Sequence, residues 1–352
     1  MRKEIELLCV GNALTDIFAT VNTSDKEQVF SRFDLNHPVQ HIEMEELSAI
    51  LSKLPDAGDM VVTSGGGAAN VAKIAGLLGT KVCFTGTIGQ DIDNGAQADK
   101  YGQLFIKDLS AAGVELKLQL KPCPTGICLY LKAADETRIA SSPSAALELS
   151  EDDINTGDVR RARVVVIDGF MLGRPGLVKY ILDQAEQAGT VAAIDLSSPG
   201  IAMDYAAEIT DYANRYSLIL FMNENEAAAY CKKMRNEEWG MRNGNLPLKE
   251  ADSFFKSLTA GKPFPIIVVK LGDRGAVFFS SGDKHHAETQ AVSPMDSTGA
   301  GDAFCAGFLS AWVHNKPLSE CAALGNQAAR IVLDVMGTQV ERKQFCNLHA
   351  ST

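Results

Sequence analysis

The residues best suited to chemistry form one string near the C-terminus, Asp296-Ser297-Thr298-Gly299-Ala300-Gly301-Asp302, followed by Ala303-Phe304-Cys305-Ala306-Gly307-Phe308-Leu309. The second half is apolar and small, which suits a buried helix. The first half is a turn of small residues feeding that helix. Small residues let backbone N–H groups approach a ligand closely. The first N–H groups of a helix lack intrahelical partners and carry partial positive charge. Gly299, Ala300 and Gly301 could therefore form an anion hole for a phosphoryl group. Asp302 would stand beside that hole, where an incoming hydroxyl could hand over its proton. A carboxylate is a weak base, with a reference pKa of about 3.9, and a helix N-terminus is expected to keep it ionised. Phosphoryl transfer tolerates this, because the base mainly orients the alcohol and takes its proton late. The competing structural reading is a capped helix with the glycines as loop.

A second string, Ser64-Gly65-Gly66-Gly67-Ala68-Ala69-Asn70-Val71-Ala72, reads as a tight turn followed by a helix, with Gly79 and Gly89 further on. It matches neither G-x-G-x-x-G nor the Walker pattern G-x-x-x-x-G-K-[ST]. The amide of Asn70 can both donate and accept, which suits a hydroxyl ligand. Asp16, in Gly11-Asn12-Ala13-Leu14-Thr15-Asp16, lies just past the first apolar run. That is the carboxyl end of a strand, where α/β proteins bind ligands. A solvated turn acid is the plain alternative.

Short apolar runs alternate with amphipathic segments and must position these residues. Leu7–Val10, Lys81–Phe84, Val164–Ile167, Val191–Ile194, Leu218–Phe221 and Ile266–Val269 read as buried strands, and Leu177–Ala188 reads as a helix stopped by Gly189. This rhythm indicates an α/β protein with a mainly parallel sheet flanked by helices. Ala13–Val21 and Leu116–Leu131 break the rhythm, and Leu116, Leu118 and Leu120 alternate with polar residues. A half-exposed antiparallel sheet is expected there. The expected organisation is a discontinuous body over 1–12, 42–112 and 141–345 and a small β lid over 13–41 and 113–140. Asn236–Pro247 and Gly89–Gly102 look like surface insertions, His285-His286 like a solvated turn, and the last dozen or so residues like a frayed end.

The bulk properties narrow the partners. The chain has 352 residues, 46% hydrophobic, and a formal net charge of -11. Such a charge repels phosphate backbones and anionic lipid, so neither nucleic acid nor membrane is an expected partner. The eight scattered cysteines contain no C-x-x-C pair and read as reduced core thiols of a cytoplasmic protein. No apolar run reaches about 18 residues, and the charged N-terminus lacks the apolar stretch of a signal peptide.

The 296–302 string and the 64–72 string, in this order, resemble the two signatures of the PfkB family, the ribokinase-like carbohydrate kinases. The resemblance runs from about Leu7 to Val340 and implies a ribokinase-like fold, ATP and Mg2+ as cofactors, and a small-molecule sugar or nucleoside as acceptor. It implies Asp302 as catalytic base and the amides of Gly299, Ala300 and Gly301 as the phosphoryl cradle. Asp296 and Thr298 match residues that help bind a monovalent cation in members that use potassium. Gly65 and Gly66 match a paired-glycine hinge whose backbone touches the substrate, with Gly67 beside them on the substrate side, while Asn70 and Asp16 match ligands of sugar hydroxyls. Arg138, after the lid strands, resembles an arginine that some members swing onto the phosphates; a plain surface arginine is the alternative.

On the nucleotide side, Asn223-Glu224-Asn225-Glu226 resembles the family's N-x-x-E motif, with Asn223 near the phosphates and Glu226 holding magnesium through water. Helix capping is the competing reading of that pair. Lys270, Gly272 and Gly275 resemble the strand–turn that carries the ATP phosphates and ribose, and Asn326 the adenine pocket. The stretch 90–101 looks longer than in the family. Gly11-Asn12-Ala13-Leu14 and Asp168-Gly169-Phe170 resemble the adenosine-kinase side, where Phe170 could stack on a base. Three functions stay open: a sugar kinase, a nucleoside kinase, or a non-catalytic ligand-binding member of the fold. A homodimer through exposed lid strands is also open.

Overall fold

Continuous apolar runs become central strands because both of their faces are covered. The computed structural model describes residues 3–21, 26–32, 34–35, 39–54, 60–91, 93, 95–133, 136–235 and 248–349. The insertion expected at Asn236–Pro247 lies outside the described residues. The strands are β1 Ile5–Val10, β2 Leu14–Thr20, β3 Val39–His41, β4 Val61–Gly65, β5 Val82–Gly89, β6 Glu115–Lys121, β7 Thr125–Lys132, β8 Thr137–Ser144, β9 Ala162–Asp168, β10 Val191–Asp195, β11 Leu218–Asn223, β12 Ile266–Lys270, β13 Ala276–Ser280 and β14 Asp283–Ala287.

Nine of these build one sheet in the order β14-β13-β12-β11-β10-β9-β1-β5-β6. It is parallel from β12 to β6, with an antiparallel margin at β13 and β14. Leu7, Cys9, Val164 and Val166 point to one helical layer, which contains Gly67–Leu77, Ala300–Trp312 and Leu318–Leu333. Their neighbours Leu8, Val10, Val165 and Ile167 point to the opposite layer, which contains Pro175–Gln187 and Ala206–Arg215. Burial on both faces removes the alternation a one-sided strand would show. The parallel strands deliver Asp168, Asp195, Asn223 and Lys270 at their carboxyl ends, the edge where open α/β sheets bind ligands.

The second sheet runs β3-β8-β7-β2-β4. Ile17, Ala19, Ile127, Leu129 and Leu131 face the helices Lys26–Arg32 and Met44–Leu51, forming a separate small core with Phe30, Leu47 and Ile50. The alternate residues Asp16, Phe18, Cys128 and Tyr130 take the opposite face, paired Asp16 to Cys128 and Phe18 to Tyr130.

Several expectations need correction. β6, placed in the lid on its alternation, is the edge of the large sheet, parallel to β5. Its alternation reflects an edge strand with one wet face; Leu120 is 38% exposed. β4, placed in the body, pairs with β2 in the small sheet. β2 is buried along most of its length rather than half exposed. His285 and His286 belong to β14, where His286 Nε2 pairs with the Arg274 carbonyl at 2.8 Å. The C-terminal stretch is helical over Arg342–His349, with Phe345 fully buried.

Candidate active site

Two helix N-termini meet above the carboxyl ends of the large sheet. The helix Gly67–Leu77 starts from Gly66, whose φ is 97° and where a Cβ would lie 2.1 Å from the Asn12 carbonyl oxygen. Only glycine fits there. The neighbouring Gly65 lets Asp16 approach: a Cβ would stand 2.2 Å from that carboxylate. The helix Ala300–Trp312 starts from Gly299, at φ 78°, and no side chain caps it. The Ala300 N–H closes a turn onto the Ser297 carbonyl at 3.3 Å. Among the described residues the Gly299, Gly301 and Asp302 amides meet no protein acceptor, so they are open at the helix start.

Asp302 is held from across the molecule. Asn70 Nδ2 donates to Asp302 Oδ2 at 2.8 Å, and Thr338 Oγ1 donates to Asn70 Oδ1 at 3.2 Å. Asn70 thus orients the carboxylate, a role beyond the hydroxyl ligand expected from the resemblance. Burial pushes the Asp302 carboxyl up to about 8, and Asp195 adds to this, against the opposing pull of Asn70 and Lys270. The expectation that the helix N-terminus keeps it ionised fails because desolvation and neighbouring acids outweigh a half-charge dipole.

Lys270 brings a cation up to the strand ends. Its Nζ lies 2.6 and 2.8 Å from the Asp195 carboxylate oxygens, and a Cβ on Gly301 would stand 3.1 Å from it. Burial works against its charge, but Asp195, Cys305 and Glu226 raise its pKa overall. Cys305 Sγ also donates to Asp195 Oδ2 at 3.3 Å. Glu226 and Asn223 form a reciprocal cap: Asn223 N and Nδ2 each donate to Glu226 at 2.7 Å, and Glu226 N donates to Asn223 Oδ1 at 2.9 Å. Burial, then Asp195, holds the Glu226 carboxyl up to about 7.

On the acceptor side, burial raises Asp16 to about 7; the Lys73 ammonium opposes this and Asp296 reinforces it. Lys73 is itself buried, 3.1 Å from Thr63 Oγ1 and 3.8 Å from Asp108. Phe18 and Tyr130 stack with centroids 4.5 Å apart on the same face of the small sheet as Asp16. Phe170 is 46% exposed beside Asp168. Asp168 Oδ1 is buried without a partner, while Oδ2 faces the Ala68 amide at 3.5 Å.

Among the expected residues, Arg138 sits away from the site. Arg138 is opposite Leu131, on the helix-covered face of the small sheet, lying over the Phe30 ring and donating to the Leu35 carbonyl at 3.3 Å. Strand parity turns it away from Asp302. Asp296 and Thr298 bond to one another, and Asp296 Oδ1 also meets the Lys132 ammonium at 2.6 Å. Gly272 lies in an open turn, whereas Gly275 and Asn326 gather around the Ala287 and Glu288 carbonyls. Asp195 carried a readable signal, an acid ending a buried apolar run, and Asp168 entered only within the Asp168-Gly169-Phe170 string. Lys132, Tyr130 and Thr338 carried none.

A family model described as pfkB family carbohydrate kinase matches residues 39–344. The chain belongs to the PfkB family. This kinase is a phosphotransferase with a hydroxyl acceptor. It is 26% identical over 360 aligned positions to adenosine kinase 1 of Arabidopsis thaliana, covering 96% of this chain and 97% of the relative. It is 28% identical over 284 positions to a 5-dehydro-2-deoxygluconokinase of Shouchella clausii, covering 76% and 80%. The solved adenosine kinase from Sinorhizobium meliloti superposes with a TM-score of 0.82 at 22% identity, covering 99% of this kinase and all of that chain. The ribokinase-like fold is therefore shared with adenosine kinases. No helix among the described residues is long and apolar enough to cross a membrane.

Proposed function

We propose that this PfkB kinase transfers the γ-phosphoryl of ATP to the hydroxymethyl group of a sugar ring seated between Asp16 and Gly65–Gly67. The observation that carries this reading is Asp302 at the uncapped helix start, aligned by Asn70 and Thr338. Once ionised, Asp302 orients the alcohol and accepts its proton. The Gly301 and Asp302 amides, with Lys270 beneath them, receive the transferred group. Asn70 fixes the carboxylate, and Thr338 fixes Asn70. Asp16 accepts from ring hydroxyls once ionised.

The donor set also fits magnesium. Glu226 is a buried acid whose carboxyl is raised by burial and by the nearby Asp195, and no cluster of three acidic, His or Cys side chains among the described residues could cage an ion. Such a set suits an ion that keeps its waters and takes its other ligands from phosphates. Bound there, magnesium would supply charge neutralisation for the phosphates. Gly275 and Asn326 would border the base and ribose of the nucleotide.

A nucleoside acceptor is the second reading. It is supported by the stacked Phe18–Tyr130 pair on the Asp16 face and by the exposed Phe170, both suited to a planar base. Among the described residues no disulfide joins the eight cysteines, which supports a reducing, cytoplasmic setting. A homodimer through the short edge strand β3, where Val39 lies open, belongs to the same proposal and is checked by sedimentation. The test of function is ADP formation with magnesium across a panel of free sugars and nucleosides, beside thermal shifts with each acceptor. Turnover on free sugars alone would remove the nucleoside reading. Binding without turnover on any acceptor would replace the kinase by a ligand-binding protein.

A further inference from the structure

Asp296 opens the turn that ends in the anion hole, and its carboxylate is filled from four directions. Oδ1 accepts from Lys132 Nζ at 2.6 Å, from Thr298 Oγ1 at 3.0 Å and from Thr298 N at 3.2 Å. Oδ2 accepts from Gly337 N at 2.8 Å. Three of these contacts crowd Oδ1, which has about two lone-pair sites, and the ammonium takes the position there that a cation would need. A free cation would also stand against the Lys132 ammonium.

The lysine is placed by the small sheet. It is the last residue of β7, paired with Thr20, and its Nζ lies 5.2 Å from the Phe18 ring centroid. Phe18 is pinned on its other sides by Tyr130 and by Gly337, where a Cβ would stand 2.7 Å from the ring. The Lys132 and Asp296 side chains are only 20% and 5% exposed. An ion pair this enclosed is screened little by salt. Burial raises the Asp296 carboxyl, but the Lys132 ammonium, then the amides of Gly337 and Thr298, hold it below the usual range.

We propose that the Lys132 ammonium does from within the chain what a free monovalent cation would do on the Asp296–Thr298 turn, so phosphoryl transfer here needs no potassium. Lys132 is then a positioning residue: it shapes the turn that presents the Gly301 and Asp302 amides, and it makes that turn depend on the small sheet being in place. This rests on residues 299–302 being the phosphoryl site.

The test compares initial rates of ADP formation in sodium and potassium salts at matched ionic strength, for the full chain and for Lys132→Ala. The wild-type rate and Tm are expected to be the same in both salts. Lys132→Ala is expected to lose about 10–10²-fold in kcat in sodium, with a smaller change in KM for ATP. Potassium or ammonium is expected to restore part of that loss and to raise the variant's Tm. A purely structural strap would not respond to the identity of the cation. A severalfold activation of the wild type by potassium would overturn the proposal, as would a Lys132→Ala enzyme with wild-type kcat in sodium. A folded variant that no cation restores would overturn it as well. If the variant does not fold, the wild-type salt comparison decides. Absence of wild-type turnover in every salt would count against the phosphoryl-site reading, and the Tm comparison would still decide Lys132.

Discussion

Replacing Asp302 with Asn should cost activity and add stability, with the second effect set by pH. In the folded protein the carboxyl is held near 8, from a reference of 3.8, by burial and by Asp195. A raised folded value means the native state prefers the proton. Its stabilising contribution is complete below the unfolded value and is lost as pH rises toward 8. At about 1.4 kcal/mol per pH unit, the ionised form costs at most on the order of 6 kcal/mol. Relaxation and water entry around buried charges bring the expected gain to about 2 kcal/mol. Asn is nearly isosteric and its oxygen can still accept from Asn70 Nδ2. The assay is thermal or urea unfolding of both proteins from pH 4 to 9, beside steady-state kinetics. The stability gain of Asp302→Asn should be small near pH 4, grow through pH 8 and level above it. The kcat should fall at least about 10²-fold with ATP binding nearly intact. A gain that does not vary with pH would refute the charge argument, and activity within a few-fold of wild type would rule out Asp302 as the base.

Asp16→Ala should raise KM for the acceptor at least about tenfold while leaving KM for ATP nearly unchanged; equal effects on both would remove Asp16 from the acceptor pocket. Gly299→Ala forces a left-handed φ of 78° on alanine and drives its Cβ to 2.4 Å from Thr338 Cγ2. It should cost about 1–3 kcal/mol in urea unfolding and lower kcat, and a neutral result would contradict the turn geometry. Lys270→Met leaves Asp195 buried beside Asp302 and Glu226 without its ammonium. Denaturant curves should show a loss of about 3–5 kcal/mol, partly recovered by adding Asp195→Asn; a single-variant loss below about 1 kcal/mol would show the pair to be weak.

Much of this molecule is local in origin. Apolar runs such as Val164–Ile167 and Ile266–Val269 became central strands, the acids and Lys270 at strand ends fell on the ligand edge, and the glycine strings at 65–67 and 299–301 became helix starts. These signals are readable because backbone geometry and helix termini depend on neighbours a few residues away. The sheet to which β6 and β4 belong, the face that Arg138 takes and the proton on Asp302 were decided by tertiary structure. So were the bonds from Asn70 to Asp302 and from Lys132 to Asp296, which join residues 232 and 164 positions apart. Burial and electrostatic fields sum over whatever the fold brings near, and no window of sequence contains that sum.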